Sequence, residues 1–246
     1  MQAATLRAQI ESALGVKLSI PLIFRQLPAI ELLPSGCELD ALTGGLPRGS
    51  LTEIYGPASS GHASVGLSVL AQLTARGEAC AWVDASDSLD PYSAEEMGAA
   101  LHRLLWVRCR GLEQAIQTAD LLLGSAGFGL VVLDLAGVPP ETLHRLPLSF
   151  WFRFRLAIEH TPTLLLVLTP EACAKSCASL VLRLQLDEAR WSITSDINPV
   201  SHSYLLQELH LSAEVIRSRL QWPSETASST SLKTAINYQV PSFEAS

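Results

Sequence analysis

Charge is scarce in this chain. Only 17% of its 246 residues are Asp, Glu, Lys or Arg, against 48% hydrophobic. That balance excludes a polar, disordered polypeptide and allows one medium domain with short extras. The small charge excess is acidic, −7, which excludes a protein coated in nucleic acid but leaves room for a local basic patch. Long apolar runs are missing too, since Gly, Asp, Arg or Pro interrupts each one before it could span a bilayer. No basic segment followed by an apolar one opens the chain, so no secretory leader is expected. Internal repeats are absent. The cysteines, Cys37, Cys80, Cys109, Cys173 and Cys177, are odd in number and lack framework spacing. They read as reduced thiols of a cytoplasmic protein. Cys173 and Cys177 stand four apart with no His or second Cys pair nearby, so buried helix positions are expected there rather than zinc ligands.

What is present is an alternation of apolar strands and helices. Residues 3–14 carry Leu6, Ile10 and Leu14 on one stripe, the pattern of an amphipathic helix. Residues 15–33 read as a linker, and Pro34–Leu42 leads into turn chemistry over Thr43–Ser50. Leu51–Tyr55 is a short strand, 63–75 a helix closed by Gly77, and Cys80–Val83 a strand with Asp84 at its end. Ala94–Leu105 and Leu112–Leu123 read as helices, Leu130–Asp134 as a strand, Phe150–Glu159 as a helix and Leu164–Leu168 as a strand. Strands apolar on both faces and separated by helices predict an α/β fold, with a mostly parallel sheet covered on both sides. Leu180–Leu186, Arg190–Thr194 and Tyr204–Arg217 read as antiparallel strands added at its edge. The resulting division is a helix and linker over 1–33, a core over 34–221 and a tail over 222–246. The tail is rich in Ser, Thr, Ala and Pro and is expected to be disordered.

The strand at Leu51 leads into Gly56-Pro57-Ala58-Ser59-Ser60-Gly61-His62-Ala63-Ser64. An intact phosphate loop reads G-x-x-x-x-G-K-[ST], with lysine for the phosphates and a hydroxyl for Mg²⁺. Gly56 and Gly61 keep the spacing. His62 stands where lysine should be and Ala63 where the hydroxyl should be. An imidazole is mostly neutral at pH 7 and shorter than a lysine stem. Ser64 follows, but one step along a helix turns a side chain by roughly 100°.

Together with Leu42–Gly49, Glu53–Gly61, Val83–Pro91 and Val131–Asp134, this segment resembles the RecA-like P-loop ATPases over roughly 35–220. The resemblance implies a RecA-like core with Asp134 as the metal-side carboxylate. It also implies a catalytic glutamate two residues past Asp84, where this chain has Ser86, which cannot activate water at neutral pH. A polar pair sensing the terminal phosphate is implied after Leu168; Thr169-Pro170 stands there. Hydrolysis is therefore not expected. Weak ATP/Mg binding through backbone N–H groups and a mere inherited turn both stay open.

Within the superfamily the chain resembles the ImuA family, accessory proteins of bacterial SOS mutagenesis cassettes. That resemblance implies an adapter in translesion synthesis. Its partners would be an inactive Y-family polymerase homologue (ImuB-like), an error-prone C-family DNA polymerase and RecA. A slow RecA- or KaiC-type ATPase, a SulA-like inhibitor of cell division and a DNA-binding module are the alternatives. Arg217 and Arg219, matching a lysine pair that in bacterial RecA reaches the neighbouring subunit's nucleotide, are candidates for an interface; solvated arginines at a strand end are the plain alternative. Arg145–Arg155 interleaves arginine with Phe150, Trp151, Phe152 and Phe154, a pattern that suits stacked bases or, more simply, an amphipathic helix. Gln239-Val240-Pro241-Ser242-Phe243 resembles clamp-docking peptides in two positions only.

Overall fold

Runs such as Leu130–Asp134 and Leu164–Thr169 are apolar on both faces because both faces are covered. The computed structural model describes residues 31–125, 127–193, 204–219 and 234–239; all lie in one unit, Glu31–Ser246. The predicted helix over 3–14 lies outside them.

The elements in chain order are β1 (Leu32–Leu33), α1 (Leu39–Thr43), β2 (Leu46–Pro47), β3 (Ser50–Tyr55), α2 (His62–Ala75), β4 (Cys80–Asp84), α3 (Pro91–Glu96), β5 (Leu104–Arg108), α4 (Leu112–Ser125), β6 (Leu130–Asp134), α5 (Pro140–Leu143), α6 (Leu148–Ile158), β7 (Leu164–Thr169), β8 (Leu180–Ile193), β9 (Tyr204–Ser218) and β10 (Thr234–Gln239). One sheet runs β10-β9-β8-β3-β7-β6-β4-β5. From β8 to β5 neighbours are parallel, while β9 and β10 join antiparallel. The expected α/β architecture, parallel with antiparallel strands at the late end, is what forms.

Alternation sorts the side chains between two layers. Leu164, Leu166 and Leu168 face a core with Trp82, Val65 and Leu70 of α2. Leu165 and Val167 face a second core with Ile116 of α4 and Trp151 and Phe154 of α6. Trp151 and Phe154 meet edge to face, centroids 6.1 Å apart. Side chains buried this fully contribute about 1.5–3 kcal/mol each by leaving water. Asp90 caps α3, accepting from the Tyr92 and Ser93 amides with Pro91 in the first turn.

Several expected elements differ. The helix over Ala94–Leu105 stops at Glu96, because Gly98 turns the chain at φ +92°. Leu104–Arg108 is instead the edge strand β5, parallel to β4. Leu32–Leu33, placed in the linker, pairs with Leu46–Pro47, and Leu39–Thr43 is helical. Leu180–Ile193 is one strand rather than two. Its first residues run parallel to β3 and its whole length antiparallel to β9, with register shifts absorbing the irregularity. Cys173 and Cys177 are buried, but beside and within a short 3₁₀ turn, Lys175–Cys177, not an α-helix. Thr234–Gln239, inside the segment expected to be disordered, pairs with Glu208–Ala213.

Candidate phosphate-loop site

The loop joins mid-sheet β3 to α2, so its position is set by parallel neighbours on both sides. Its backbone has the curled shape of a phosphate cradle, with Ser59 and Gly61 at positive φ, 65° and 89°. The hairpin of β8 and β9 presses on it from outside. A Cβ on Gly56 would stand 2.2 Å from the Leu184 carbonyl oxygen, and one on Gly61 2.2 Å from Leu211 Cδ1. Both glycines are needed here for close approach, whatever the loop binds.

His62 opens α2 and its imidazole is buried. Nε2 lies 3.0 Å and Nδ1 3.4 Å from Ser60 Oγ. A neutral ring can donate to or accept from that hydroxyl according to its tautomer. Burial pushes its pKa below the ordinary histidine value, with the Gly56 carbonyl opposing. The side chain at the lysine position is thus uncharged and engaged with the loop itself. Ala63 is exposed and offers no ligand; Ser64 is half-buried and makes no side-chain hydrogen bond among the described residues.

The sign of the pH dependence follows. A histidine with a depressed folded pKa contributes stability above about 6.5 that is lost as pH falls through the folded value. Thermal melts at about pH 7.5 and about pH 5 should show a steeper acid loss for the natural chain than for His62→Asn. Equal slopes would mean the imidazole is not held neutral.

Opposite the loop, β4 and β6 end in Asp84 and Asp134, which are register partners. Asp84 is fully buried and accepts from the amides of Ser86, Ser88 and Leu89. Asp134 accepts from the Ala136 amide at 3.1 Å and from Ser88 Oγ at 3.0 Å. Burial raises its pKa, while these two donors lower it and the Asp84 charge raises it further. The Asp134 carboxylate is therefore held by a serine hydroxyl. Ser86 packs against Gly137, where a Cβ would come within 2.4 Å of its Oγ, so a longer carboxylate side chain has little room. These residues do not fit a Mg²⁺–triphosphate: the lysine charge and metal hydroxyl are absent, and both acceptor groups have partners of their own.

A cleft of about 500 Å³ opens beside the loop, between Tyr55, Pro57, Pro140, Pro170 and Leu184. It is mostly apolar, and Arg183 at its rim is paired with Glu214. It is not a phosphate pocket.

The loop after β7 is fastened from two sides. Buried Glu53 of β3 accepts from the amides of Cys173 and Ala174, at 2.6 and 2.9 Å. Arg217 donates to the carbonyls of Lys175 and Ala178, and Arg219 to that of Ser176. The two arginines considered for an interface are thus directed at the chain's own loop. In the segment Arg145–Arg155, Trp151 and Phe154 are core, Phe150 lies under Arg153, and Arg153 pairs with Asp120. Phe152 alone of the four aromatics is exposed, so the base-stacking reading loses most of its surface.

Sequence reasoning missed Ser88 and Glu53. Nothing in the spacing of Ser88 signals contact with Asp134. Glu53 could have been found as a lone carboxylate inside an apolar strand.

A glycine-bounded loop between a central parallel strand and a helix, facing a carboxylate at a second strand end, defines a P-loop α/β core. Residues 2–143 match the RecA N-terminal domain, over half of the chain, and the chain belongs to that family. It is 41% identical over 116 residues to RecA of Methylococcus capsulatus, covering 46% of this chain and 33% of that protein. It is 35% identical over 138 residues to RecA of Acinetobacter baumannii, covering 54% and 40%. RecA of Marinobacter nauticus matches at 37% over 116 residues, 47% and 33%. The chain thus covers only a third to two-fifths of the length of these relatives. No described helix is long and apolar enough to cross a membrane.

Proposed function

We propose that the chain is a non-catalytic or weakly catalytic RecA-like adapter in SOS-induced translesion DNA synthesis, working in the bacterial cytoplasm through protein–protein contacts. One observation carries the reading: the imidazole at the lysine position is buried, neutral and bonded within its own loop. A scaffold that keeps the loop's shape without its charge serves by its surfaces. The proposed partners are an inactive Y-family polymerase homologue, an error-prone C-family DNA polymerase and RecA. Affinity capture with the tagged chain after DNA damage should recover at least one polymerase or recombinase subunit; recovery of none would contradict the role.

A slow ATPase is the second reading, favoured by the preserved positive-φ geometry at Ser59 and Gly61. Metal-dependent phosphate release that disappears in Asp134→Ala would select it.

A further inference from the structure

The fastened loop after β7 carries an unexpected surface. Arg155 of α6, Lys175 of the 3₁₀ turn, and Arg217 and Arg219 of β9 converge there. Helix α6 packs against the turn, and the guanidinium groups of Arg217 and Arg219 reach its carbonyls. Arg155, Arg217 and Arg219 all act on the Cys177 thiol and lower its pKa against the raising effect of burial. No described carboxylate forms an ion pair with any of the four. Backbone carbonyls accept from one Nη of each of Arg217 and Arg219 but do not neutralise their charge, and the buried Arg217 Nε has no partner among the described residues.

Apolar surface lies alongside. Phe152 and Leu156 are one helical turn apart on α6, both on the same side of Arg155, and are 42% and 66% exposed. A stripe of large apolar side chains beside four cations that form no ion pair among the described residues, on a chain of net charge −7, calls for a ligand with both properties.

We propose that this basic and apolar face docks an acidic amphipathic segment of a partner protein, its carboxylates toward Arg155, Lys175 and Arg219 and its apolar side chains on Phe152 and Leu156. The inference rests on the adapter reading. A second copy's N-terminal segment is disfavoured, because residues 1–30 carry Arg7, Lys17 and Arg25 against Glu11 alone. Nucleic acid is disfavoured by the overall acidity and by the burial of Trp151 and Phe154.

The test uses the full chain and a fluorescent synthetic peptide with Glu on one helical face and Leu on the next. A Lys/Leu peptide of the same pattern and an oligothymidine serve as controls. The Glu/Leu peptide should bind, more weakly as salt rises, and the Lys/Leu peptide should not. Arg155→Glu with Lys175→Glu should weaken binding about tenfold, and Leu156→Ser about threefold. Thermal melts check that the variants are folded, and Leu156→Ser decides alone if the charge reversal is not. Equal binding of both peptides, unchanged binding by folded variants, or tighter binding of the oligothymidine would overturn the proposal. Two outcomes separate it from the adapter reading. Polymerase capture that survives the charge reversal would remove this face and keep the adapter; peptide binding without polymerase capture would do the reverse.

Discussion

The double variant His62→Lys, Ala63→Thr binds a fluorescent ATP analogue with Mg²⁺ at least tenfold more tightly than the natural chain. The natural imidazole is neutral and bonded to Ser60, whereas a lysine extends its ammonium beyond the loop toward a bound anion. A charge-assisted hydrogen bond contributes about 1.5–3 kcal/mol, a factor of roughly 10–100 in affinity. Threonine adds the hydroxyl that Ala63 cannot offer. Hydrolysis stays negligible, because Ser86 is no base and lies against Gly137. Fluorescence titration and phosphate release measure the two halves separately. Unchanged affinity would mean that the loop is no longer a cradle even in shape.

The largest loss of stability is expected from Glu53→Ala. Its carboxylate, inside the strand that carries the loop, takes the amides of Cys173 and Ala174. Removing it strands two buried donors and frees the segment between β7 and β8. Each stranded buried amide costs about 1–3 kcal/mol, together roughly 10 °C in melting temperature for a chain of this size. Glu53→Gln, which keeps an acceptor, should lose about half as much. Arg219→Ala should fall within about 1 kcal/mol, since that arginine is exposed. Denaturant and thermal melts check all three, and a loss under 1 kcal/mol for Glu53→Ala would show that the loop is held elsewhere.

The sheet was largely legible. Leu130–Asp134 and Leu164–Leu168 are read correctly as buried parallel strands, the second running one residue further to Thr169, because short runs apolar on both faces leave few alternatives. The loop was legible from glycine spacing and its losses from residue type. β5 was not, because Leu104–Arg108 becomes a strand through its neighbour β4 rather than through its own pattern. The hydroxyl contacts were also hidden. Whether Ser60 meets His62, or Ser88 meets Asp134, depends on rotamers and on how two strand ends lie side by side. The same holds for Arg217 and Arg219: sequence spacing puts them on one face but does not say which.

That choice is made by one irregularity. Leu182 pairs with Val215, but Val181 pairs with Arg217, so Ile216 is an extra residue in β9. Up to Val215 the strand shares the layer of Leu182; beyond it Arg217 shares the layer of Val181. Parity, then, rather than composition, decides which side the arginines serve. Were β9 regular with Ile216 kept in the ladder, Arg217 would fall opposite Leu180 and face the other layer, away from Lys175–Ala178, whereas losing Ile216 would leave Arg217 opposite Val181. A change that straightens the bulge is therefore a graver lesion than the loss of Ile216 itself, and matching an Arg-x-Arg by alignment does not establish that two chains point it the same way.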